Sequence, residues 1–302
     1  MNSLLITDPI FRQTAMTVIG IVFFSSIIVY FFRQRNYYFI SAWASMKSWL
    51  VATPILFILF SFGNILSQVL LVLIAIYGAK TFFQLMGMYH RSYFVIICYL
   101  GIIGLGLCAY FDHLTIYNQL PMILLGVCCF VPLIRNNYQR MIQYICITLL
   151  TFIFLGWSFM HLGLILNLHN GIYQIMYVVV LTEFCDNTNI AISRYFKGYK
   201  LFSRIDSRRN LWSTLISMAS TLALAGGMRW LLPDQSDKYW YTAGLIASLG
   251  GLFGELVMSV VRRDAGVKIV GGFILGRGDF LQRMDRLIFV APIYYYVMNA
   301  LQ

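Results

Sequence analysis

Runs of about twenty apolar residues recur along the whole chain, and each is long enough to cross a hydrocarbon core roughly 30 Å thick. Within such a core no water is present to pair a backbone amide. A crossing segment must therefore satisfy its own N–H and C=O groups as a helix. This predicts an all-α fold, a polytopic transmembrane helical bundle of about ten spans. The expected spans are residues 14–32, 49–62, 66–85, 92–111, 119–134, 141–166, 172–184, 211–232, 241–260 and 287–300. A soluble fold is excluded by composition: 60% of residues are hydrophobic, 11% are charged and the mean hydropathy is +0.76. Ordinary soluble domains carry charge on about a quarter of their residues. Tyr37, Tyr38, Tyr239, Trp240, Tyr241, Tyr294, Tyr295 and Tyr296 lie near span ends, the level that Tyr and Trp favour.

Charge supplies the topology. Lys and Arg number 22 against 11 Asp and Glu, a formal net charge of +11. With ten spans, the five stretches 33–48, 86–91, 135–140, 185–210 and 261–286 fall on one side, and they hold most of the basic residues. The intervening stretches carry Asp112, His113, Asp234, Asp237 and Lys238. The positive-inside rule then places both termini outside and the basic loops in the cytoplasm. An excess of positive charge also suits lipid headgroups or phosphate ligands, with no nucleic acid expected as a partner. One Arg precedes the first apolar run and no small-residue cleavage site follows, so that run reads as a retained span. Of the six Cys, only Cys185 lies outside an apolar run, and their spacing matches no ligand motif. No repeat and no Pro- or Ser-rich linker divides residues 1–302, so one integral membrane domain is expected. Its functional loops are 185–210 and 254–286, both at the cytoplasmic face.

The first loop follows Glu183 and Asp186, carboxylates three apart at the end of an apolar span. Acids at that depth face a cavity or a partner. One reading of Asp186 is a divalent-cation or ribose contact; the other is a helix end paired with the neighbouring basic loop. In the second stretch Glu255, Ser259 and Arg262 stand at i, i+4 and i+7, a single helical stripe of carboxylate, hydroxyl and guanidinium. Glycines 271, 272, 276 and 278 follow, where backbone can approach a phosphate. Mg²⁺ is commonly held by one or two carboxylates with ligand phosphates, roles open to Glu255 and Asp285. Arg262, Arg263 and Lys268 are suited to phosphate oxygens. The competing reading is a basic juxtamembrane loop that fixes topology and nothing more.

On these residues the chain resembles the phosphatidate cytidylyltransferases (CDP-diacylglycerol synthases). Their C-terminal signature runs G-D-L-x-x-S-x-x-K-R, then K-D, then P-G-H-G-G-x-x-D-R-x-D, and residues 254–285 lie on it without gaps. Gly254, Leu256, Ser259, Arg263, Lys268, Gly271, Gly276, Gly278, Arg283 and Asp285 match, with Arg262 for Lys and Glu255 for Asp. Upstream, Asp186 falls on the Asp of D-x-x-x-Y. Residues 205–213 overlie S-P-x-K-T-x-E-G, and residues 46–49 resemble a basic-Ser-Trp start of the second span. Departures are Ile269 for Asp, Arg277 for His, Asp279 for Gly and Gln282 for the first Asp of D-R-x-D, with Ile190, Asp206-Ser207, Arg209-Asn210 and Trp212-Ser213 upstream.

The resemblance implies a nucleotidyltransferase of phospholipid biosynthesis that turns CTP and phosphatidate into CDP-diacylglycerol and pyrophosphate. It implies Mg²⁺ on Asp186, Glu255 and Asp285. Ser259, Arg262, Lys268 and Asp285 would be catalytic, and Arg263, Gly276, Gly278 and Arg283 would hold the nucleotide. Expected partners are CTP, phosphatidate and membrane lipid, with a homodimer as a candidate assembly. The expected location is a bacterial inner membrane. Gln282 and the altered upstream loop motivate the alternative: a degenerate member that binds phospholipid or nucleotide, or scaffolds a lipid-synthesis partner, without turnover. A transporter is disfavoured because little charge lies within the spans and no pair of broken repeats is visible. A CTP-using lipid kinase would differ in releasing CDP.

Overall fold

The computed structural model describes residues 8–32, 43, 47, 50, 53, 54, 57, 58, 60–195, 198–200, 202–206, 209–232, 236–266, 281 and 284–301. All regular structure among them is helical. The chain divides into two compact units, 1–70 with 271–280 and 71–270 with 281–302.

The first unit contains α1 (Pro9–Phe32) and the start of α2 (Asn64–Leu85). Phe11 and Phe57 meet edge to face at 5.9 Å, and Trp43 packs against Tyr30 at 5.1 Å. Gly63 has φ 91°, a left-handed turn immediately before α2. Eight positions of the expected second span, 49–62, are described; all but Phe62, a turn residue, are helical.

The second unit holds the remainder of α2, then α3 (Ser92–Tyr110), α4 (Leu114–Ile134), α5 (Met141–Ile165), α6 (Gly171–Tyr195), α7 (Leu211–Gly227), α8 (Asp237–Asp264) and α9 (Leu287–Leu301). Among the described residues, six helices, α2 to α6 and α8, are long and apolar enough to cross a membrane; α7 and α9 are shorter apolar helices. The chain is an all-α polytopic membrane protein, as the apolar runs predict.

Contacts fix the direction of the helices in this unit. At one end Arg91 donates to the Tyr144 hydroxyl at 3.0 Å, and the Arg135 guanidinium lies 3.7 Å above the Tyr93 ring. At the other end Asn167 donates to the Ala109 carbonyl at 2.6 Å, and Tyr239 donates to the Leu301 carbonyl at 2.9 Å. Because α6 leaves the Asn167 end, its C-terminal half returns to the Arg91 end. Helices approach closely where glycine replaces a side chain. A Cβ at Gly106 would collide with Val72, and one at Gly101 with Leu124 and Phe152.

Two expectations change. The seventh span was expected to end at residue 184, with a loop over 185–210; α6 continues instead to Tyr195. Glu183, Asp186 and Asn189 recur every third residue, so one face of the extended helix carries polar groups, and Asp186 and Asn189 are buried with partners. Hydropathy falls while helix is retained, because tertiary partners replace the lipid. The eighth span stops at Gly227, followed by a 3₁₀ turn at Arg229–Leu231.

Candidate functional site

The C-terminal half of α6, the segment before α7, α8, and the two residues preceding α9 meet at the Arg91 end of the second unit. Asn210 begins the site locally. Its side chain accepts from the Ser213 amide at 2.7 Å while the Ser213 hydroxyl accepts from the Asn210 amide at 3.3 Å. This reciprocal cap fixes the first turn of α7 and, with it, the preceding Arg209. Asn189 on α6 donates to Ser217 on α7 at 3.3 Å and accepts from Ser213 at 3.3 Å, tying the two helices together.

Arg209 is buried and multiply engaged. Its Nη2 donates to Asp186 Oδ1 at 3.2 Å and also to Glu255 Oε2, while its Nε lies 3.4 Å from Asp206 Oδ2. Arg286 completes the network. Its Nη2 donates to Asp186 Oδ2 at 2.5 Å, its Nη1 lies 3.2 Å from Glu183 Oε2 and its Nε 3.7 Å from Glu255 Oε2. Among the described residues, four carboxylates thus meet two guanidinium groups. Stripping water from an ion costs several kcal/mol, so such a cluster holds only when each charge is shared among several partners. The planar fork of arginine permits that sharing. Burial by itself would lower the Arg286 pKa; the carboxylates of Asp186, Glu183 and Glu255 reverse this and leave it raised, so it stays charged.

The approach of α8 to the residues before α9 is made by glycine. A Cβ at Gly254 would collide with the Asp285 carbonyl and crowd the Arg286 backbone, and one at Gly250, one turn earlier, would press on Val290. This close packing lets Asp285 and Arg286, neighbours in sequence, grip opposite charges on α8. Asp285, fully buried, pairs with Arg262, and Arg286 reaches Glu255. A widened turn of π-helix at Ile246–Gly250 precedes this stretch. Beside the network lies a small cavity of about 10 Å³, room for roughly one water, lined by Cys185, Asn189, Arg209, Met218, Ser248 and Leu252 among others.

The expected site residues are placed as follows. Asp186 and Glu255 come together through Arg209. Asp285, adjacent in sequence to Arg286, pairs instead with Arg262. Ser259 is half-buried on α8 and Arg263 is exposed. Lys268, Gly276, Gly278 and Arg283 lie outside the described residues, as do Ile269, Arg277 and Gln282. Neither Arg209 nor Arg286 is among the expected site residues, although Arg209 stands in the sequence as a departure from the resembling family's pattern. The available signal was position: Arg286 directly abuts an apolar span, and Arg209 directly precedes a capping Asn.

A resident Mg²⁺ on Asp186, Glu255 and Asp285 does not fit this arrangement. Both Asp186 oxygens and one of Glu255 already accept from arginine, and Asp285 faces elsewhere. Among the described residues no group of three His, Cys, Asp or Glu is disposed to hold a metal.

Relatives place the chain. It is similar to the uncharacterized protein YnbB of Escherichia coli, at 27% identity over 44% of this chain and 45% of that protein. It is similar to a phosphatidate cytidylyltransferase of Staphylococcus aureus, at 24% identity over 55% of this chain and 63% of the relative. To a phosphatidate cytidylyltransferase of Synechocystis it is 42% identical over 33% of this chain and 34% of the relative. Each match spans less than two thirds of the relative's length. A model of the whole family, by contrast, matches residues 43–301, and the chain therefore belongs to the cytidylyltransferase family.

Proposed function

We propose that this protein is a nucleotidyltransferase that moves a cytidylyl group from CTP to phosphatidate at the charged end of the second unit. The observation that carries the reading is the family match over residues 43–301, joined to a built polar site at the end of a lipid-facing bundle. A phosphatidate phosphate oxygen attacks the α-phosphorus of CTP. A new P–O bond forms, the bond between the α-phosphorus and the oxygen that bridges to the β-phosphorus breaks, and pyrophosphate leaves with that oxygen and electron pair. Such a transfer is governed by positioning and charge neutralisation rather than by a strong base. Arg262 and Arg263, with Lys268 and Arg283, are the cations this reading assigns to phosphate oxygens. To the nucleotide this reading assigns Ser259, Gly276 and Gly278. Asp186 and Glu255 are held in place by Arg209 and Arg286, and Mg²⁺ enters only as the companion of the triphosphate. Because the acyl chains of phosphatidate stay in the bilayer, the reaction belongs at a helix end. The location that suits CTP is the cytoplasmic face of a bacterial inner membrane, with the basic loops inside.

The test is formation of labelled CDP-lipid from CTP and phosphatidate by the purified protein in detergent with Mg²⁺, against a Glu255→Ala, Asp285→Ala control. Product above the control supports the reading; its absence removes turnover. Gln282, which stands where the resembling family has a carboxylate, favours a second reading in which lipid or nucleotide is bound without reaction. Retained CTP or phosphatidate binding without product, together with a large gain of turnover in Gln282→Asp, would select it.

A further inference from the structure

The bridging position between Asp186 and Glu255 is filled by protein. These carboxylates come from two helices, α6 and α8, and a single nitrogen, Arg209 Nη2, donates to both. The second Asp186 oxygen accepts from Arg286 Nη2 at 2.5 Å, and Arg286 Nε lies 3.7 Å from the Glu255 oxygen that Arg209 holds. The two cations are carried by separate segments, each anchored independently, Arg209 by the Asn210–Ser213 cap and Arg286 by the backbone packing at Gly254. A divalent cation bridging two carboxylates needs oxygens free to approach at about 2.0–2.1 Å in near-octahedral order, and the arginine contacts take those same oxygens.

We infer that Arg209 and Arg286 are the resident counterions of the Asp186–Glu255 pair, occupying the place that a bridging divalent cation would take, so that the folded site holds no divalent cation of its own before a phosphate ligand arrives. They are positioning residues: they set the two carboxylates at a fixed separation. A guanidinium cannot leave with product as a hydrated metal can, so this part of the site remains assembled between ligands. The inference concerns the empty-handed protein and does not require turnover.

The experiment uses full-length protein in detergent, without nucleotide or lipid substrate. Free Mn²⁺ is followed by electron paramagnetic resonance, and thermal unfolding is recorded with EDTA and with Mg²⁺. The wild type is expected to leave the free Mn²⁺ signal unchanged at micromolar metal and to unfold at the same temperature in EDTA and Mg²⁺. Arg209→Met, which vacates the bridging position, is expected to gain a single bound Mn²⁺ and a Mn²⁺-dependent rise in Tm, whereas Arg209→Lys keeps the charge and gains none. Stoichiometric Mn²⁺ binding by the wild type that Glu255→Gln abolishes, or a lower wild-type Tm in EDTA, overturns the inference. So does a folded Arg209→Met that takes up no Mn²⁺. Should Arg209→Met not accumulate, the wild-type measurements decide. Failure of the cytidylyl-transfer assay leaves each of these outcomes intact, so the two readings fail separately.

Discussion

Two buried polar regions of the second unit are built on opposite terms. Around Arg209 and Arg286 the groups are ionic and shared, each guanidinium touching three carboxylates. Around His161 they are neutral and settled with main chain. Tyr117 donates to the Trp157 carbonyl at 2.5 Å, and His161 Nδ1 meets the same carbonyl at 2.8 Å. Trp157, Tyr117, Tyr295 and Tyr296 surround the fully buried His161 ring with centroids at 4.6 to 5.8 Å. One neutral hydroxyl needs one acceptor, and a helix carbonyl can accept a second bond. A buried charge needs several partners, and those partners must be carried in from other helices. The neutral region stabilises packing locally; the ionic one fastens four chain segments at a single point.

The sharpest way to break this contrast is Arg286→Met, which strands Glu183, Asp186 and Glu255 with one fewer guanidinium. The expected loss is about 3–5 kcal/mol, because an unmatched buried charge remains. It would be read as a collapse of membrane-fraction yield or of Tm in detergent. Tyr117→Phe should cost only about 0.5–1.5 kcal/mol, near the lower figure since His161 still occupies the Trp157 carbonyl. A Tm drop as large as that of Arg286→Met would erase the distinction between the regions. Arg135→Ala, an exposed residue over Tyr93, is expected to shift stability by no more than about 0.5–1 kcal/mol, and less as salt is raised.

The fold was largely legible because lipid leaves the backbone no choice: length and hydropathy alone located α3, α4 and α5. Hydropathy misled where helix outlasts apolarity. The C-terminal part of α6 carries Asp186, Asn187 and Asn189 and reads as loop, yet it is helical since those groups find partners on α7 and the arginines. In the site, Asp186 and Glu255 were visible as acids out of place in apolar surroundings. Arg209 and Arg286 were hidden by company: each stands in a stretch crowded with other Lys and Arg, and only the three-dimensional arrangement separates a buried cation from one that fixes topology. The His161 cluster gave no signal, because a ring of aromatics at helical spacing is what any apolar span contains.

Gly254 has a reach beyond its own helix. With no side-chain atoms between α8 and the Asp285–Arg286 main chain, the location of the second arginine is dictated by peptide against peptide rather than by any choice of rotamer. A single added methyl there would push the guanidinium away from three acids at once without altering a charge. Heritable change at this glycine and at Arg286 should therefore look alike, one acting through shape and the other through valence.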